Sequence, residues 1–495
     1  MDAARQVASS VRALRDSPKE LFVCYVLKFF ESFIYFSISQ VLVIFLHNDY
    51  GFSDVAAGTL YGLWGCAITL VSLLTSSTND NLGVRVSLIV GFSISAVSSL
   101  AMALTNSKIT LYINLLLVLP LSESIGMPML TVAVKRYTSK HNRGFAFGVF
   151  YSVMNMAAFA SGPVVDICNL YVSNTLSFNG HKLSGNRMVI ISTFIASIIA
   201  IAVSHFCVRE IEVVDEESYE KGGDEPAKAD KELPQGDADG NVKVFTIEQQ
   251  SLKTTLLELL KSKTFWRFAL MSLFLINLKA VFRHLDATLP TYLVRTFGSD
   301  IPKGMIYAIN PFIIVILTPL VSALTQRFEH FDMIKWGGWI TATAPFFLAF
   351  SSSISAVLLF VVFLSLGEAI WSPRVYDYTM SVSPKGREAS FAALAAAPLF
   401  LAKVPVGLLS GYLVSKYIPE EGPGRPQMLW LIIGLLTLSS PVLINLFEKC
   451  IREPAASVAG TGRGVPMSSF SILPSEEEAL DDSDAIEGGS VIDTL

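Results

Sequence analysis

An all-α protein crossing a membrane about twelve times, as two groups of six helices, is the fold class this sequence predicts. Three observations predict it. The 495 residues are 52% hydrophobic and only 16% charged, with a mean hydropathy of +0.52, a balance typical of multispanning membrane proteins. Apolar runs of roughly 20 residues, enough to cross the hydrocarbon core, recur along most of the chain. One long polar connection interrupts them midway.

Residues 1–20 are a polar N-terminal segment carrying Arg5, Arg12, Arg15 and Lys19. The apolar run that follows exceeds a signal-peptide core, so it reads as the first span with its basic head in the cytosol. The spans are expected at 21–46, 54–76, 86–105, 108–135, 143–170 and 187–208, then at 264–294, 303–326, 333–351, 354–380, 388–416 and 427–449. Residues 21–208 thus make an N-terminal six-helix bundle and 264–449 a C-terminal one. Cations such as Lys135, Arg136, Lys140 and Arg143 crowd the loops on one side, which places both termini in the cytoplasm.

The linker, 209–263, is acidic in its first part: residues 209–250 hold 13 acidic and 5 basic side chains. With its Gly, Pro and Asp content this part cannot bury a core and is expected to be disordered. Its last part places Leu252, Leu256, Leu259 and Leu260 at helical spacing. A lateral helix on the inner face and a simple extension of the seventh span both fit. The tail, 450–495, is again acidic, 9 against 2, and expected to be disordered. The remaining chain carries 20 acidic and 30 basic residues. Five cysteines with no CxxC pair read as packing residues, and no metal spacing appears.

The chemistry lies in charges at membrane depth. The tenth span carries Glu368, Arg374 and Asp377 around the helix-breaking Pro373. Such charges cost a few kcal/mol each, so they are kept only where they face protein or water. Glu368 is therefore expected to line a solute path. At roughly 1.5 Å per residue, Glu31, Glu123, Lys279, Glu368 and Lys403 reach a common middle level. Charges of both signs from both halves suit a site between them, and a zwitterion or small organic anion as its ligand. Structural readings stand beside this. Lys28 and Glu31, three apart on one helix face, are also placed to pair, and Glu123 and Lys403 could join helices as buried partners. Farther out, Arg283, His284 and Asp286 fall within one turn, either a proton-sensing outer gate or a hydrogen-bonded knot. Arg374 and Asp377 suit an inner gate or a packing pair.

The stretch SSTNDNLGVRVSL, with Asp80, Gly83 and Arg85, resembles the Gly-x-Leu-x-Asp-Arg-x-Gly-Arg-Arg loop of the major facilitator superfamily. Ser76 and Asn81 depart from it. The resemblance implies that Asp80 pairs across the halves to hold a cytoplasmic gate; in an ordinary turn it would cap a helix instead. Phe150, Tyr151 and Asn155 resemble the Phe-Tyr-x-x-x-Asn motif of the proton-dependent oligopeptide transporters within that superfamily, with Ala157 where Gly is usual. Gly367, Glu368, Ser372 and Pro373 match that family's Gly-Glu-x-x-x-Ser-Pro, and Pro384 follows at its spacing. In the first span the family has Glu-x-x-Glu-Arg followed by aromatics. Here Lys28, Glu31, Ser32 and Tyr35 occupy that frame, so this is a divergent relative.

The resemblance implies a major facilitator fold working by alternating access between its halves. A proton on Glu31 or Glu368 would drive it, and Lys403 or Lys279 would be released from pairing. The expected partners are a small solute, protons and the bilayer, with no nucleic acid, cofactor or metal, and the chain is expected to be a monomer. No Walker loop, HExxH, GxSxG or dinucleotide motif points to an enzyme. Two rivals stay open: an uncoupled facilitator, and a non-transporting receptor or scaffold docking through the acidic loop and tail.

Overall fold

The computed structural model describes residues 17–138, 143–173, 175–178, 181–210, 263–325, 328–382 and 402–452. The expected lateral helix, the linker from 211 to 262, the eleventh span before 402 and the tail after 452 lie outside these residues. Six membrane-length helices come first: α1 (Lys19–Tyr50), α2 (Asp54–Leu82), α3 (Val84–Leu104), α4 (Lys108–Arg136), α5 (Arg143–Asp166, continued by a π turn to Val172) and α6 (Gly185–Cys207). A two-residue hairpin, Ser177–Phe178 with His181–Lys182, connects α5 to α6. The seventh span consists of α7 (Lys263–Phe274), α8 (Ile276–Ala287) and α9 (Leu289–Phe297). Then come α10 (Lys303–Leu324), α11 (His330–Phe350), α12 (Ile354–Val382), α13 (Lys403–Tyr417), α14 (Pro426–Leu446) and the short α15 (Glu448–Ile451). Nine of the described helices are long and apolar enough to cross a membrane.

The helix ends follow local chemistry. Gly51, at φ 66°, closes α1 by donating its N–H to the His47 carbonyl, while Phe52 reaches back to Leu46. Glycine adopts that left-handed conformation without a Cβ penalty. The Ser53 hydroxyl accepts from the Ala56 N–H and starts α2.

The seventh span departs from the single helix expected over 264–294. At its first break Ser440 of α14 inserts a hydroxyl that donates to the Phe274 carbonyl and accepts from the Leu278 N–H. At the second, Pro290 lacks the N–H that would bond the carbonyl of residue 286, and the Ser410 hydroxyl satisfies the neighbouring Ala287 carbonyl instead.

Buried apolar side chains form two main clusters, one built mostly from α1 to α6 and one from α7 to α15. Between the halves α2 lies against α13, α5 against α10 and α1 against α8. In lipid, helix association depends on close packing rather than on expelling water, and glycines supply it. A Cβ on Gly58 would overlap the Gly407 carbonyl, and one on Gly162 the Gly304 carbonyl. These contacts lie toward the face bearing the 51–53, 298–302 and 418–425 connections, called here the far side. The opposite face carries both ends of the described chain and is called the terminal side.

Candidate functional site

Where the halves meet at mid-depth, the structure gathers most of the expected charges. In α1, Lys28 Nζ lies 2.6 Å from Glu31 Oε2, which also accepts from the Ser32 hydroxyl at 3.0 Å. The Lys28 ammonium also sits 5.0 Å from the centre of the Phe150 ring on α5. Glu31 Oε1 accepts no hydrogen bond among the described residues. One turn farther, the Tyr35 hydroxyl accepts from Arg283 Nη1 at 2.9 Å, which ties α1 to the seventh span.

Arg283 also lies 3.1 Å from Asp286. The Asp286 carboxylate accepts in addition from Ser39 at 2.9 Å and Tyr61 at 3.1 Å, both in the other half. Asp286 is 1% exposed, so four polar groups share one buried knot. His284 joins a different chain of bonds: its Nδ1 is 2.7 Å from the Thr288 hydroxyl, itself 2.7 Å from that of Ser410 on α13.

Lys403 opens α13 and is fully buried. Its Nζ makes no hydrogen bond among the described residues. Aromatic rings surround it instead: Trp64 at 3.4 Å from ammonium to ring centre, Tyr35 at 4.7 Å and Tyr61 at 5.0 Å. Ring faces attract a cation by about 0.5–2 kcal/mol each, while withdrawing an ammonium from water costs several kcal/mol. Glu123 on α4 lies within electrostatic reach of both Lys403 and Glu31, and neither of its carboxylate oxygens has a hydrogen-bond partner among the described residues. Buried polar groups left without hydrogen-bond partners are costly.

Glu368 bridges the halves from α12. It accepts from Asn310 of α10 at 3.0 Å and from the Tyr151 hydroxyl of α5 at 3.4 Å. Tyr151 is also 3.3 Å from Ser372. Asn155 turns back on its own helix, donating to the Tyr151 carbonyl at 2.9 Å. Lys279 is buried on α8 in the same region.

The residues expected at the inner gate lie apart from this cluster. Arg85 braces its own half: its N–H donates to Glu210 at 2.7 Å and its Nη2 to the His205 carbonyl at 2.6 Å. Arg374 donates to Thr325 at 2.8 Å within the other half. Asp80 and Asp377 occupy described helices, but their side chains lie outside the described residues.

On the far side, Arg295 at the end of α9 grips Asp54 at 2.8 and 2.9 Å and reaches Glu420 at 3.0 Å. His47 lies 2.5 Å from Glu420. Asp166 at the end of α5 accepts from the N–H groups of Gly304 and Met305 at 2.9 and 2.8 Å. The halves are thus joined along that face.

Sequence reading missed Tyr61, Trp64, Ser39 and Asn310 as site residues. The one available signal was polar and aromatic side chains at the same depth as the charges. Sequence gives depth along a helix but not which neighbour it faces.

A family model described as Major Facilitator Superfamily matches residues 21–402. No curated protein matches the chain. Among solved structures, a POT family transporter in complex with a thioalcohol-conjugated peptide superposes with a TM-score of 0.65 at 13% identity, covering 88% of this chain and 97% of the other. A POT family transporter in complex with 5-aminolevulinic acid gives 0.65 at 12%, with the same coverage. A peptide transporter POT in complex with sulfate gives 0.63 at 13%, covering 88% and 95%. At these identities the likeness establishes the fold.

Proposed function

The chain belongs to the Major Facilitator Superfamily, and on that premise we propose that it is a proton-coupled transporter of a small polar solute, a zwitterion or organic anion. Secondary transport, without enzyme activity, follows from the family and its fold. The finer reading has the halves 21–208 and 264–449 alternate about the mid-depth site, in a monomer with both termini cytoplasmic. The peptide conjugate and the 5-aminolevulinic acid named for two of the similar structures support a solute of that class.

One observation carries the coupling. Glu368 of one half accepts a hydrogen bond from Tyr151 of the other. A proton on Glu368 weakens it as an acceptor, and with it one link between the halves, so proton binding biases the two-state equilibrium. The Asp54–Arg295 clamp and the Arg283–Asp286 knot, with His284 beside it, act as the outer gate. Asp80, Arg85, Arg374 and Asp377 serve the inner one.

Purified protein in vesicles tests this. An imposed pH gradient should drive solute accumulation, and Glu368→Gln should abolish the pH dependence while leaving exchange intact. Accumulation indifferent to the gradient in the wild type overturns the coupling. That result would favour an uncoupled facilitator, a reading supported by the 2.6 Å contact that already occupies Glu31 with Lys28.

A further inference from the structure

The ring cage around Lys403 is built wholly from the other half. Tyr35 comes from α1, Tyr61 and Trp64 from α2, and the rings pack on one another: Tyr35 to Trp64 at 5.7 Å between centroids, Tyr61 to Trp64 at 6.1 Å. The cage is therefore complete without the residue that fills it. Its occupant is held by no hydrogen bond among the described residues; ring faces surround it, the Glu123 and Asp286 carboxylates attract it, and the Arg283 guanidinium repels it. Nothing in that arrangement is particular to a lysine side chain. Any compact ammonium satisfies the rings.

Resting on the transport reading above, we propose that the cage of Tyr35, Tyr61 and Trp64 is the subsite for the ammonium group of the substrate, and that Lys403 fills it when the far side is closed. Lys403 reaches the cage because α13 packs on α2, backbone against backbone, at Gly58, Gly62, Gly407 and Gly411. Parting α2 from α13 withdraws Lys403 and leaves the rings to an incoming cation. The substrate is then a zwitterion or an amine rather than a pure anion. Because ring faces need no N–H donors, methylated ammonium groups fit as well as primary ones.

Binding of radiolabelled tetramethylammonium to the purified full-length protein tests this. Wild type should bind it weakly and saturably, Lys403→Gln at least tenfold more tightly, and Trp64→Phe several-fold more weakly than wild type. Absence of saturable binding to both wild type and Lys403→Gln overturns the proposal, as does binding unchanged by Trp64→Phe. Should Lys403→Gln fail to fold, the comparison of wild type with Trp64→Phe decides alone. Flux in vesicles separates the two readings. Tetramethylammonium binding without any solute flux overturns transport, whereas proton-driven flux of a solute lacking an amine, uninhibited by tetramethylammonium, overturns the cage.

Discussion

Arg295 holds Asp54 through both terminal guanidinium nitrogens, at 2.8 and 2.9 Å, and so fastens the end of the seventh span to the start of the second. Both side chains are largely buried, so this fork is not the weak, solvent-screened pair common on surfaces. Arg295→Gln removes the fork and leaves Asp54 without its main partner. The expected effect is a shift toward the far-side-open form of about 1–3 kcal/mol. Faster alkylation of a cysteine introduced between α2 and α13 would register it. Unchanged alkylation would show that the fork does not hold the face closed.

Gly58 gives a steric test of the same closure. A Cβ there meets the Gly407 carbonyl, whereas one on Gly148 meets nothing within 4 Å. Gly58→Ala should cost about 1–3 kcal/mol through overpacking, and Gly148→Ala about 0.5 kcal/mol or less in either direction. Thermal unfolding in one detergent compares the two. Equal melting shifts would refute the close approach.

Asp286 supports a prediction about pairing. Asp286→Ala leaves Arg283 buried beside Tyr35 without its carboxylate, a loss expected to cost about 3–5 kcal/mol. Replacing both partners, Arg283→Met with Asp286→Leu, should recover much of the stability while abolishing transport. A double variant no more stable than Asp286→Ala alone would argue against the pair as the source of the loss.

At the terminal side, Glu448 receives hydrogen bonds from Lys335 at 3.1 Å and Arg452 at 2.7 Å, and Arg452 also reaches Glu329 and Asp332. Partial burial opposes ionisation of Glu448, but these bonds outweigh it and hold its carboxyl below the usual range. A depressed folded-state value stabilises the fold above the ordinary carboxylate pKa and loses that contribution as pH falls through the folded value. The melting advantage of wild type over Glu448→Gln should therefore be full at neutral pH and shrink below about pH 4. An advantage that persists into strong acid would contradict this assignment.

Much of the architecture was legible because hydrophobic length is a one-dimensional quantity. The first six spans and the tenth appear within a few residues of their expected bounds. The first break in the seventh was hidden because Ser440, which opens it, lies 162 residues beyond Leu278, whereas the second is marked in the span itself by Pro290. In the site, depth was legible and azimuth was not. Glu31 and Glu368 were marked by their level, and the three-residue spacing of Lys28 and Glu31 offered their pairing, yet nothing in sequence could show that the Lys403 ammonium faces rings instead of a carboxylate. Trp64 in an apolar run reads as packing until the helix opposite it is known. Arg85 was marked as a gate residue by its loop motif, and its bonds to Glu210 and the His205 carbonyl join it to a helix end whose position only the fold supplies.

The glycine seam between α2 and α13 has a mechanical consequence. Along the glycines the helices meet backbone to backbone, so few side chains, Lys403 among them, must be withdrawn when they separate. Such a seam acts as a smooth bearing: small rolls change its energy gradually, and the resistance to movement resides in a few polar fasteners around it. The rate of rocking is then set by those fasteners. Single substitutions at Asp54, Arg295 or Glu368 should retime the cycle without reshaping the surface on which it turns.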